Sequence, residues 1–572
     1  MRSAALGRRQ SVPCRVVLAG FVLVALGFVV PAGAAAPGRP GKAAIAAAQP
    51  LAVAAGEEVL AAGGNAFDAA VAVSAALAVA EPYASGLGGG GFWLLHQARG
   101  DRDVLIDGRE TAPAAATAGM YLDAAGNVIP GASLDGPLAA GIPGEPAALV
   151  HIARQYGRLP LARSLAPAIR LAEEGIAMEA GMQAGLRFRR QAMEKSPALM
   201  AVFFPGGELP AAGARLRQPD LAVTLRRLAA SGFDGFYRGP TATALVEGVR
   251  AAGGIWSAAD LAGYRVIERE PVRGRYRGVE IISAPLPSAG GIGLVDMLNM
   301  LSGWDLDKLD GATRKHLVIE AMRRAYRDRS VWLGDPAFSE VPVAQLLSPF
   351  YAAGQRASIR LDRATPSDLL PAGRADGSEG HDTTHFSILD ADGNRVAGTL
   401  SINTWYGSAF MPPGTGVILN NEMDDFTVKP GTGNAYELQG ASANAIAPGK
   451  RMLSSMTPTF LESPRGVAIL GTPGGSRIIT MVLLAALDWM DGHDAASMTA
   501  LRRYHHQFQP DVVTYERGAF SDQEIQALEA MGHRLKASSR DYGNMNVVTW
   551  DYVTGKVQAA SDPRREGEAL VY

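Results

Sequence analysis

The sequence predicts an α+β fold in which a mainly helical part precedes a part made mainly of strands. Residues 143–380 carry helical patterns interrupted by Pro and Gly, as in the segment RKHLVIEAMRRAYRDRSVWLGDP. Residues 383–572 alternate in the manner of strands and loops, with a few helices such as the apolar run at 478–490. Separate runs of helices and strands are typical of α+β proteins.

Composition supports a globular protein and excludes some partners. The chain has 572 residues, of which 48% are hydrophobic and 19% charged, so it can bury a large core. Glycine makes up 67 residues, about 12% against a usual ~7%, which predicts many turns and close backbone approaches. The formal net charge is −2 and no long basic stretch occurs, so nucleic acid is not an expected partner.

The N-terminus has the pattern of a secretory signal peptide. Four arginines precede an apolar run at 16–30, and Ala32-Gly33-Ala34 follows as an A-x-A-like cleavage site. The run is too short for a spanning helix, which needs ~20 residues. We therefore predict a signal peptide at 1–34, a periplasmic or secreted mature protein, and no membrane span after its removal. Arg8-Arg9 loosely resembles a twin-arginine signal, so both export routes fit.

The single cysteine has no structural role in the predicted mature chain. Cys14 lies before the apolar run, whereas a lipidated cysteine would follow it. The mature chain would then contain no cysteine, which excludes disulfides and a thiol nucleophile.

The first elements of the mature chain are two helices and a strand. The pattern predicts a helix at 51–62 that ends at Gly63-Gly64-Asn65, and a second helix at 66–80. The second helix is apolar nearly all round, which indicates burial in the core. A glycine-rich loop then leads to an apolar strand at 92–96.

The glycine-rich loop SGLGGGG matches a dinucleotide-binding pattern only by its letters. Gly86, Gly88 and Gly91 have the G-x-G-x-x-G spacing. That site needs a strand, a loop and then a helix, and here the order is helix, loop, strand. The sequence favours a loop packed against another backbone segment.

A polar linker precedes a predicted β-hairpin. Residues 361–380 are rich in Gly, Pro, Ser and Asp. Residues 384–389 and 395–402 then alternate as two strands around the turn residues 390–394. The hairpin would hold residue 383 rigidly at its front edge, while the linker end could move away.

Histidines near the hairpin raise a metal-binding alternative. His381 and His385 have the spacing of two ligands on one helix face, and His505-His506 adds imidazole. A strand beginning at 384 would break the helical spacing, and no H-E-x-x-H motif or cysteine partner accompanies the pair. The sequence favours packed or solvent-facing histidines and no metal site.

A serine triad is the second alternative. The nucleophile elbow of that chemistry is a G-x-S-x-G on a strand-to-helix turn. Ser85 lacks a glycine two residues before it, and no other serine offers the motif.

A threonine nucleophile is the third alternative. If the chain were cut before Thr383, the freed α-amino group, with a reference pKa of about 7.7–8.0, could activate the Thr383 hydroxyl. The hydroxyl could make this cut itself by attacking the Asp382 carbonyl, which moves the acyl group from nitrogen to oxygen before water hydrolyses the ester.

An acyl-transfer reaction also needs donors for the oxyanion. The turn TPGGSRII places the backbone N–H groups of Gly474 and Gly475 at the start of an apolar helix. Such groups can bind the developing negative charge, and glycines allow close approach.

Taken together, these segments resemble the γ-glutamyltranspeptidase family. The blocks that match in order and near-spacing are GGNAFDAAVAV, SGLGGGGFWLL, DGRETAP, EAMRRAYRDR, DTTHFSILDADGNRVAGTLSINTWYG, GVILNNEMDDF, KRMLSSMTPT, GTPGGSRII, YHHQFQPD and SDPRREG. They extend from about residue 42 to the end. The resemblance implies an N-terminal-nucleophile hydrolase with a four-layer αββα sandwich. It also implies a precursor that is cut between Asp382 and Thr383 into a large subunit, 35–382, and a small subunit, 383–572, which stay together as a heterodimer.

The resemblance assigns roles to individual residues. Thr383 would be the nucleophile, and Ser401 stands where many members have a threonine that hydrogen-bonds the nucleophile. A serine keeps the hydroxyl and loses the methyl. Around the γ-glutamyl group the family pattern places Arg109, Ser454 and Ser455 at the α-carboxylate, and Asn403, Glu422 and Asp425 at the α-ammonium. Glu422 replaces a glutamine of some relatives.

The segment after Asp425 resembles the lid loop of some members, with Tyr436 as the gating aromatic. A lid favours γ-glutamyl chemistry over glutaryl-cephalosporin acylase chemistry, because the acylases tend to lack it. The expected substrates are glutathione and other γ-glutamyl compounds, with water or amino-acid and peptide amines as acceptors and no cofactor. An acylase and a non-catalytic secreted relative stay open as alternatives.

Overall fold

The computed structural model describes residues 38–370 and 383–572. The predicted signal peptide, residues 371–380 of the predicted linker, His381 and Asp382 lie outside the described residues. Among the described helices, none is long and apolar enough to cross a membrane.

The strands belong to four sheets. In chain order they are β1 Ala44–Ala47, β2 Gly90–Gln97, β3 Arg102–Gly108, β4 Ile176–Ala177, β5 Arg215–Leu216, β6 Ile267–Arg269, β7 Val272–Tyr276, β8 Val279–Ser283, β9 Thr384–Leu389, β10 Arg395–Ser401, β11 Thr459–Ser463, β12 Gly466–Gly471, β13 Tyr504–His505, β14 Val513–Tyr515, β15 Leu535–Ala537, β16 Asn546–Asp551, β17 Val557–Ser561 and β18 Glu568–Val571.

The α-helices are concentrated in the first two thirds of the chain. They are α1 Pro50–Ala61, α2 Ala66–Ala80, α3 Glu145–Gln155, α4 Leu161–Glu174, α5 Ala180–Met193, α6 Pro197–Phe203, α7 Pro219–Ser231, α8 Phe233–Tyr237, α9 Gly239–Ala251, α10 Ala258–Gly263, α11 Gly290–Leu301, α12 Gly311–Trp332, α13 Val343–Leu346, α14 Pro349–Ala357, α15 Ile478–Met490, α16 Ala495–Ala500 and α17 Asp522–Ala530.

Two antiparallel sheets form the centre of the molecule. The seven-stranded sheet has the order β18-β1-β9-β10-β2-β3-β6, and the six-stranded sheet has the order β17-β16-β12-β11-β8-β7. The strand that begins after Thr383 lies in the middle of the larger sheet, between β1 and β10. This central position fixes the strand that follows the predicted nucleophile, because β1 pairs with residues 386–389 and β10 pairs with residues 384–389.

Side chains along β2 show how the layers stack. Trp93 and Leu95 pack with the helices α1–α9 on one face, whereas Phe92 and Leu94 pack towards the second sheet on the other. The second core also contains the apolar residues of α11, α12 and α15. Because successive strand residues point to opposite faces, the order is helices, sheet, sheet, helices, and the predicted four-layer α+β fold is confirmed.

Several local predictions are confirmed closely. The predicted hairpin forms as β9 and β10 around a turn at 390–394, the second strand ending one residue earlier than expected. Helix α2 has the predicted bounds and is buried along its whole length, with an Asn65–Asp68 capping box at its start. The prediction for 143–380 was incomplete, because β7 and β8 form a hairpin there that joins the second sheet.

Candidate active site

Thr383 lies at the point where the chain enters the central sheet. It directly precedes β9 and is buried. Its Oγ1 lies 3.4 Å from the Oγ of Ser401, the last residue of the neighbouring strand β10. The Ser401 hydroxyl also accepts a hydrogen bond from the Asn403 N–H at 2.8 Å. The two hydroxyls are therefore held together by the register of one β-hairpin.

The glycine-rich loop packs against this region through bare backbone. A β-carbon on Gly89 would lie 2.2 Å from the carbonyl oxygen of Ser401, and one on Gly88 would lie 1.9 Å from that of Ile418. A side chain at Gly89 would clash with the backbone of Ser401, and one at Gly88 would clash with the backbone of Ile418. The interpretation of this loop as a backbone-packing element is thereby confirmed.

Arg109 is the buried cation of the pocket. Its guanidinium contacts Glu422 at 2.6 Å, Asp425 at 2.6 Å and Glu110 at 3.4 Å. Burial alone would lower the pKa of Arg109, but the three carboxyl groups outweigh it and raise that pKa. Arg109 therefore stays positively charged.

Three carboxyl groups share this one guanidinium. Burial raises the pKa of Glu110 to about 7 and raises the pKa of Glu422 well above its ordinary value, against the opposing charge of Arg109. The carboxyl groups together carry more potential negative charge than Arg109 can balance. The cluster can therefore accept one more cation, such as an α-ammonium.

Two serines line the same pocket as Glu422 and Asp425. Ser454 and Ser455 follow the loop that returns from the lid segment, and both are buried. The Ser455 hydroxyl accepts a hydrogen bond from Arg329 at 3.3 Å. Arg329 is buried on α12, where burial lowers its pKa. The sequence reasoning missed it, although it lies in the quoted block EAMRRAYRDR.

The Gly474-Gly475 turn leads into α15 with an unusual backbone. The φ angles are 142° at Gly474 and 56° at Gly475, a region that favours glycine. Gly475 lines the same pocket as Arg109, and Gly474 lines a larger cavity next to it. Thr383 is the one residue, among those the structure describes, that lines both.

Tyr436 covers the pocket. It is 6% exposed, and its hydroxyl donates to the Asn403 carbonyl oxygen at 2.5 Å. Asn434 ties the same segment to Asp425 at 2.9 Å, and Gln507 donates to the Tyr436 carbonyl at 3.0 Å. With the lid in this position the pocket measures about 20 Å³, which is room for about one water molecule.

Two histidines of the metal alternative that the structure describes, His385 and His505, form hydrogen bonds within the fold. The ring nitrogens of His385 lie 2.8 Å from the Thr399 hydroxyl and 3.2 Å from the Ser387 hydroxyl, and burial lowers its pKa to about 3. His505 is similarly buried against Thr480 and Gln507. These contacts give both histidines structural roles.

A second cluster, formed by His316, Glu320 and His533, has the spacing of metal ligands, but its side chains form hydrogen bonds and ion pairs within the protein. His316 and His533 face each other at 2.7 Å through their ring nitrogens, and neighbouring Glu320 is paired with Arg323 and Arg324. The nitrogens that would coordinate a metal thus bond to each other, beside two guanidinium groups.

Comparison with known proteins identifies the family. The sequence profile of γ-glutamyltranspeptidase matches residues 52–572. The chain belongs to the γ-glutamyltranspeptidase family. This finding confirms the resemblance found in the sequence blocks.

The relatives of this γ-glutamyltranspeptidase family member include glutathione hydrolase proenzymes and acylase proenzymes. A glutathione hydrolase proenzyme of Pseudomonas sp. (strain A14) is 44% identical over 89% of each chain. Acylase ACY 1 proenzyme of Pseudomonas sp. (strain SE83) is 39% identical over 88% of each. The cephalosporin acylase structure from Bacillus halodurans superposes with a TM-score of 0.81 at 29% identity, covering 92% of this chain and 95% of that one.

Proposed function

We propose that the chain is a γ-glutamyltransferase and glutathione hydrolase proenzyme. The observation that carries the proposal is the composition of the pocket beside Thr383. The pocket is lined by the buried cation Arg109, by the carboxyl groups of Glu422 and Asp425, and by the lid residue Tyr436. A γ-glutamyl group presents an α-carboxylate and an α-ammonium, so a pocket that offers both charges matches it.

Autocatalytic cleavage between Asp382 and Thr383 would activate the precursor. The Thr383 hydroxyl attacks the Asp382 carbonyl carbon, the C–N bond breaks, and the resulting ester is hydrolysed by water. Cleavage leaves a large subunit, 35–382, paired with a small subunit, 383–572. The relatives named as proenzymes support the precursor form.

The freed α-amino group of Thr383 then acts as the base for its own hydroxyl. Oγ1 attacks the γ-carbonyl of the donor, and the N–H groups of Gly474 and Gly475 bind the oxyanion. Collapse of the intermediate releases the amine product and leaves a γ-glutamyl ester on Thr383. Ser401 orients the nucleophile through the contact between the two hydroxyls.

Recognition of the glutamyl group divides between the two sides of the pocket. Arg109 and the hydroxyls of Ser454 and Ser455 bind the α-carboxylate. The α-ammonium lies among Asn403, Glu422 and Asp425, where it replaces the protons that the buried acids retain. Tyr436 must move aside for entry, because the closed pocket is far smaller than a glutamyl group.

The proposed function also specifies where the enzyme acts and which donors and acceptors it uses. The signal peptide at 1–34 directs export to the periplasm or the exterior. Donors are glutathione or other γ-glutamyl compounds, and water or an amino-acid or peptide amine accepts the acyl group. This chemistry requires no cofactor.

The second candidate is a glutaryl-type acylase with the same nucleophile, favoured by the acylase relatives. The deciding experiment compares release from a γ-glutamyl anilide and a glutaryl anilide by purified, processed protein. Faster γ-glutamyl release is expected, because the lid and the acids beside Arg109 suit an α-ammonium. Faster glutaryl release would assign the protein to the acylases.

A non-catalytic relative would behave differently on a denaturing gel. We expect two bands that match the subunits, and a single uncleaved band from Thr383→Ala together with loss of anilide release. A wild-type protein that stays uncleaved after long incubation would contradict both processing and catalysis.

A further inference from the structure

The lid segment is also held through the backbone of Tyr436. The side-chain Nε2 of Gln507 donates to the Tyr436 carbonyl oxygen at 3.0 Å, and the same nitrogen lies 3.4 Å from the Gln509 carbonyl oxygen. Because both neighbours of this nitrogen are acceptors, the orientation of the amide is fixed and its Oε1 atom points elsewhere. Gln507 therefore holds the main chain from which the Tyr436 ring extends over the pocket.

His505 holds Gln507 in turn. Its Nε2 lies 2.8 Å from Gln507 Oε1, and its Nδ1 lies 2.9 Å from the Thr480 hydroxyl. Burial lowers the pKa of His505 to about 3, so the ring is neutral near neutral pH. Since an amide oxygen only accepts, Nε2 carries the ring proton and Nδ1 accepts from the hydroxyl. The hydrogen bonds thus run in one direction, from Thr480 through the ring to Gln507.

Thr480 lies in the first turn of α15, which follows the proposed oxyanion turn in the chain. Its hydroxyl proton is shared between His505 Nδ1 and the carbonyl oxygen of Arg477, each 2.9 Å away. The Tyr326 hydroxyl donates to the carbonyl oxygen of Ser476, and the Tyr326 ring packs edge-on against His505 with 5.4 Å between the centroids. Side chains that contact His505 therefore hold two consecutive carbonyl groups of this turn.

Tyr436 reaches the oxyanion turn by two routes. Its aromatic ring lies against Gly475, where a β-carbon would come within 2.2 Å of the ring. Its backbone carbonyl is connected to the far end of the same turn through the side chains of Gln507, His505 and Thr480. A movement of the lid must therefore change the contacts of the turn at one end or the other.

The loop that carries Gln507 has a strained backbone. The next residue, Phe508, has a φ of 71°, in the left-handed region that disfavours residues with a β-carbon. Its side chain is buried, and its N–H donates to Nδ1 of His506 at 3.0 Å. The other ring nitrogen of His506 contacts Asp511 at 3.1 Å. Strain that neighbouring groups hold in place is typical of functional segments, and here it lies directly beside Gln507.

We propose that Gln507 and His505 are positioning residues that hold the oxyanion turn in its reactive geometry when the lid is closed. The proposal rests on the proposed function, because it takes Gly474 and Gly475 as the oxyanion donors. Neither positioning residue lines the small pocket or the large cavity next to it, so both act through their neighbours. A donor that closes the lid thereby completes the site that stabilises its own transition state.

This role has a specific kinetic signature. Oxyanion donors bind the transition state more strongly than the ground state, so a poorly held turn slows the chemical steps. Formation and breakdown of the acyl ester both pass through an oxyanion, so both half-reactions slow together. The kcat for a γ-glutamyl anilide should therefore fall while the KM for this donor changes little.

The first test replaces Gln507 by methionine in processed protein. Methionine has nearly the same length and loses both hydrogen bonds of the amide. We expect kcat for the γ-glutamyl anilide to fall about tenfold, with KM changed less than about twofold. Gln345→Met, at an exposed position, is the matched control and should keep wild-type kinetics. A raised KM with an unchanged kcat would mean that Gln507 supports only the pocket, and would overturn the coupling to the turn.

Two substitutions of His505 separate the two halves of the connection. Asparagine can place its amide near the Nδ1 position and keep the contact with Thr480, whereas glutamine can place its amide near Nε2 and keep the contact with Gln507. We expect His505→Asn and His505→Gln each to lower kcat about tenfold, because the connection needs both contacts. His493→Asn, at an exposed position, is the control. Wild-type kcat in either His505 variant would overturn the proposal.

A double-mutant cycle tests whether the lid and the turn share this connection. Gly475→Ala already displaces the Tyr436 ring and disturbs the turn, so Gln507→Met should cost less than about threefold in kcat in that background. A full tenfold loss in both backgrounds would mean that the two residues act independently. That result would leave Gln507 a local structural role and would overturn the coupling.

The outcomes for the two proposals are distinct. Absence of anilide release from processed wild-type protein would overturn the proposed function and this inference together. Normal release by the wild type with wild-type kcat in Gln507→Met would overturn the inference alone. If Gln507→Met stays unprocessed on a denaturing gel, the two His505 variants decide by the same kinetic criteria.

Discussion

Tyr436 lies on Gly475 with no space between them. A β-carbon on Gly475 would lie 2.2 Å from Cε1 of the tyrosine ring. The proposed lid over the proposed glutamyl pocket and the proposed oxyanion turn are therefore in direct contact. Closure of the lid and the geometry of the turn depend on each other at this point.

Gly475→Ala should damage catalysis through this contact. The new methyl group displaces Tyr436, and alanine at a φ of 56° adds strain of about 1 kcal/mol. We expect kcat/KM for a γ-glutamyl anilide to fall at least tenfold. Gly119→Ala, where a β-carbon meets open space, is the control and should keep wild-type kinetics. Wild-type kinetics in Gly475→Ala would contradict the proposed role of the turn.

Asp425→Ala should separate the two candidate chemistries. Asp425 contacts Arg109 at 2.6 Å and Asn434 of the lid at 2.9 Å. Loss of a charged hydrogen-bond partner for the α-ammonium costs about 1.5–3 kcal/mol, about 10- to 100-fold in kcat/KM for the γ-glutamyl anilide.

Glutaryl anilide turnover is the internal comparison for this variant. The glutaryl group has no ammonium, and removal of Asp425 leaves Arg109 more available for its carboxylate. We expect glutaryl turnover to be spared in Asp425→Ala. The reverse pattern, with glutaryl turnover lost and γ-glutamyl turnover kept, would favour the hypothesis that the protein is an acylase.

Local features of the fold were predictable because local chemistry determines them. Helix α2 has its capping box within the first four residues of its own segment, and the turn at 390–394 contains the Asp and Gly that close the hairpin. The β7–β8 hairpin was missed because its strands are only five residues each. Its pairing with β11, some 180 residues away, leaves no local signal.

The site was predictable only in part. Roles for Arg109 and Asp425 came from family resemblance, since no local pattern places together residues 316 positions apart. Arg329 was missed, although it lies in a quoted block. Its importance depends on burial without a full set of hydrogen-bond partners, which is a property of the folded structure.

Arg329→Gln should weaken donor binding without preventing folding of the pocket backbone. The variant removes a buried positive charge and the hydrogen bond to Ser455, both of which favour a carboxylate in the pocket. We expect KM for the γ-glutamyl anilide to rise about tenfold, equivalent to about 1.4 kcal/mol. Arg327→Gln on the same helix, which loses an ion pair to Asp328, should change KM little. An unchanged KM in Arg329→Gln would contradict a role in donor binding.

Burial of the Glu145 carboxyl group should make the free energy of unfolding decrease as pH rises. It is the first residue of α3, and its backbone N–H donates to the carbonyl oxygen of Gly89, which packs on Ser401. Burial raises the pKa of Glu145 from 4.5 to about 8 in the folded protein. Between pH 4.5 and pH 8 the Glu145 carboxyl group holds a proton in the folded state and releases it in the unfolded state. The contribution of Glu145 to the free energy of unfolding is therefore full below pH 4.5 and is lost as pH rises towards 8.

Glu145→Gln removes this dependence, because glutamine does not ionise. Between pH 4.5 and pH 8 we expect the free energy of unfolding of the variant to increase relative to that of the wild type by about 1.4 kcal/mol per pH unit. This slope does not depend on the difference in stability between the two proteins at low pH. Unfolding midpoints measured at pH 5, 6 and 7 for wild type and variant test the slope, with exposed Glu174→Gln as the baseline. A pH-independent difference between Glu145→Gln and wild type would mean that Glu145 is ionised in the folded protein, and its buried charge would then need a partner at the glycine-rich loop.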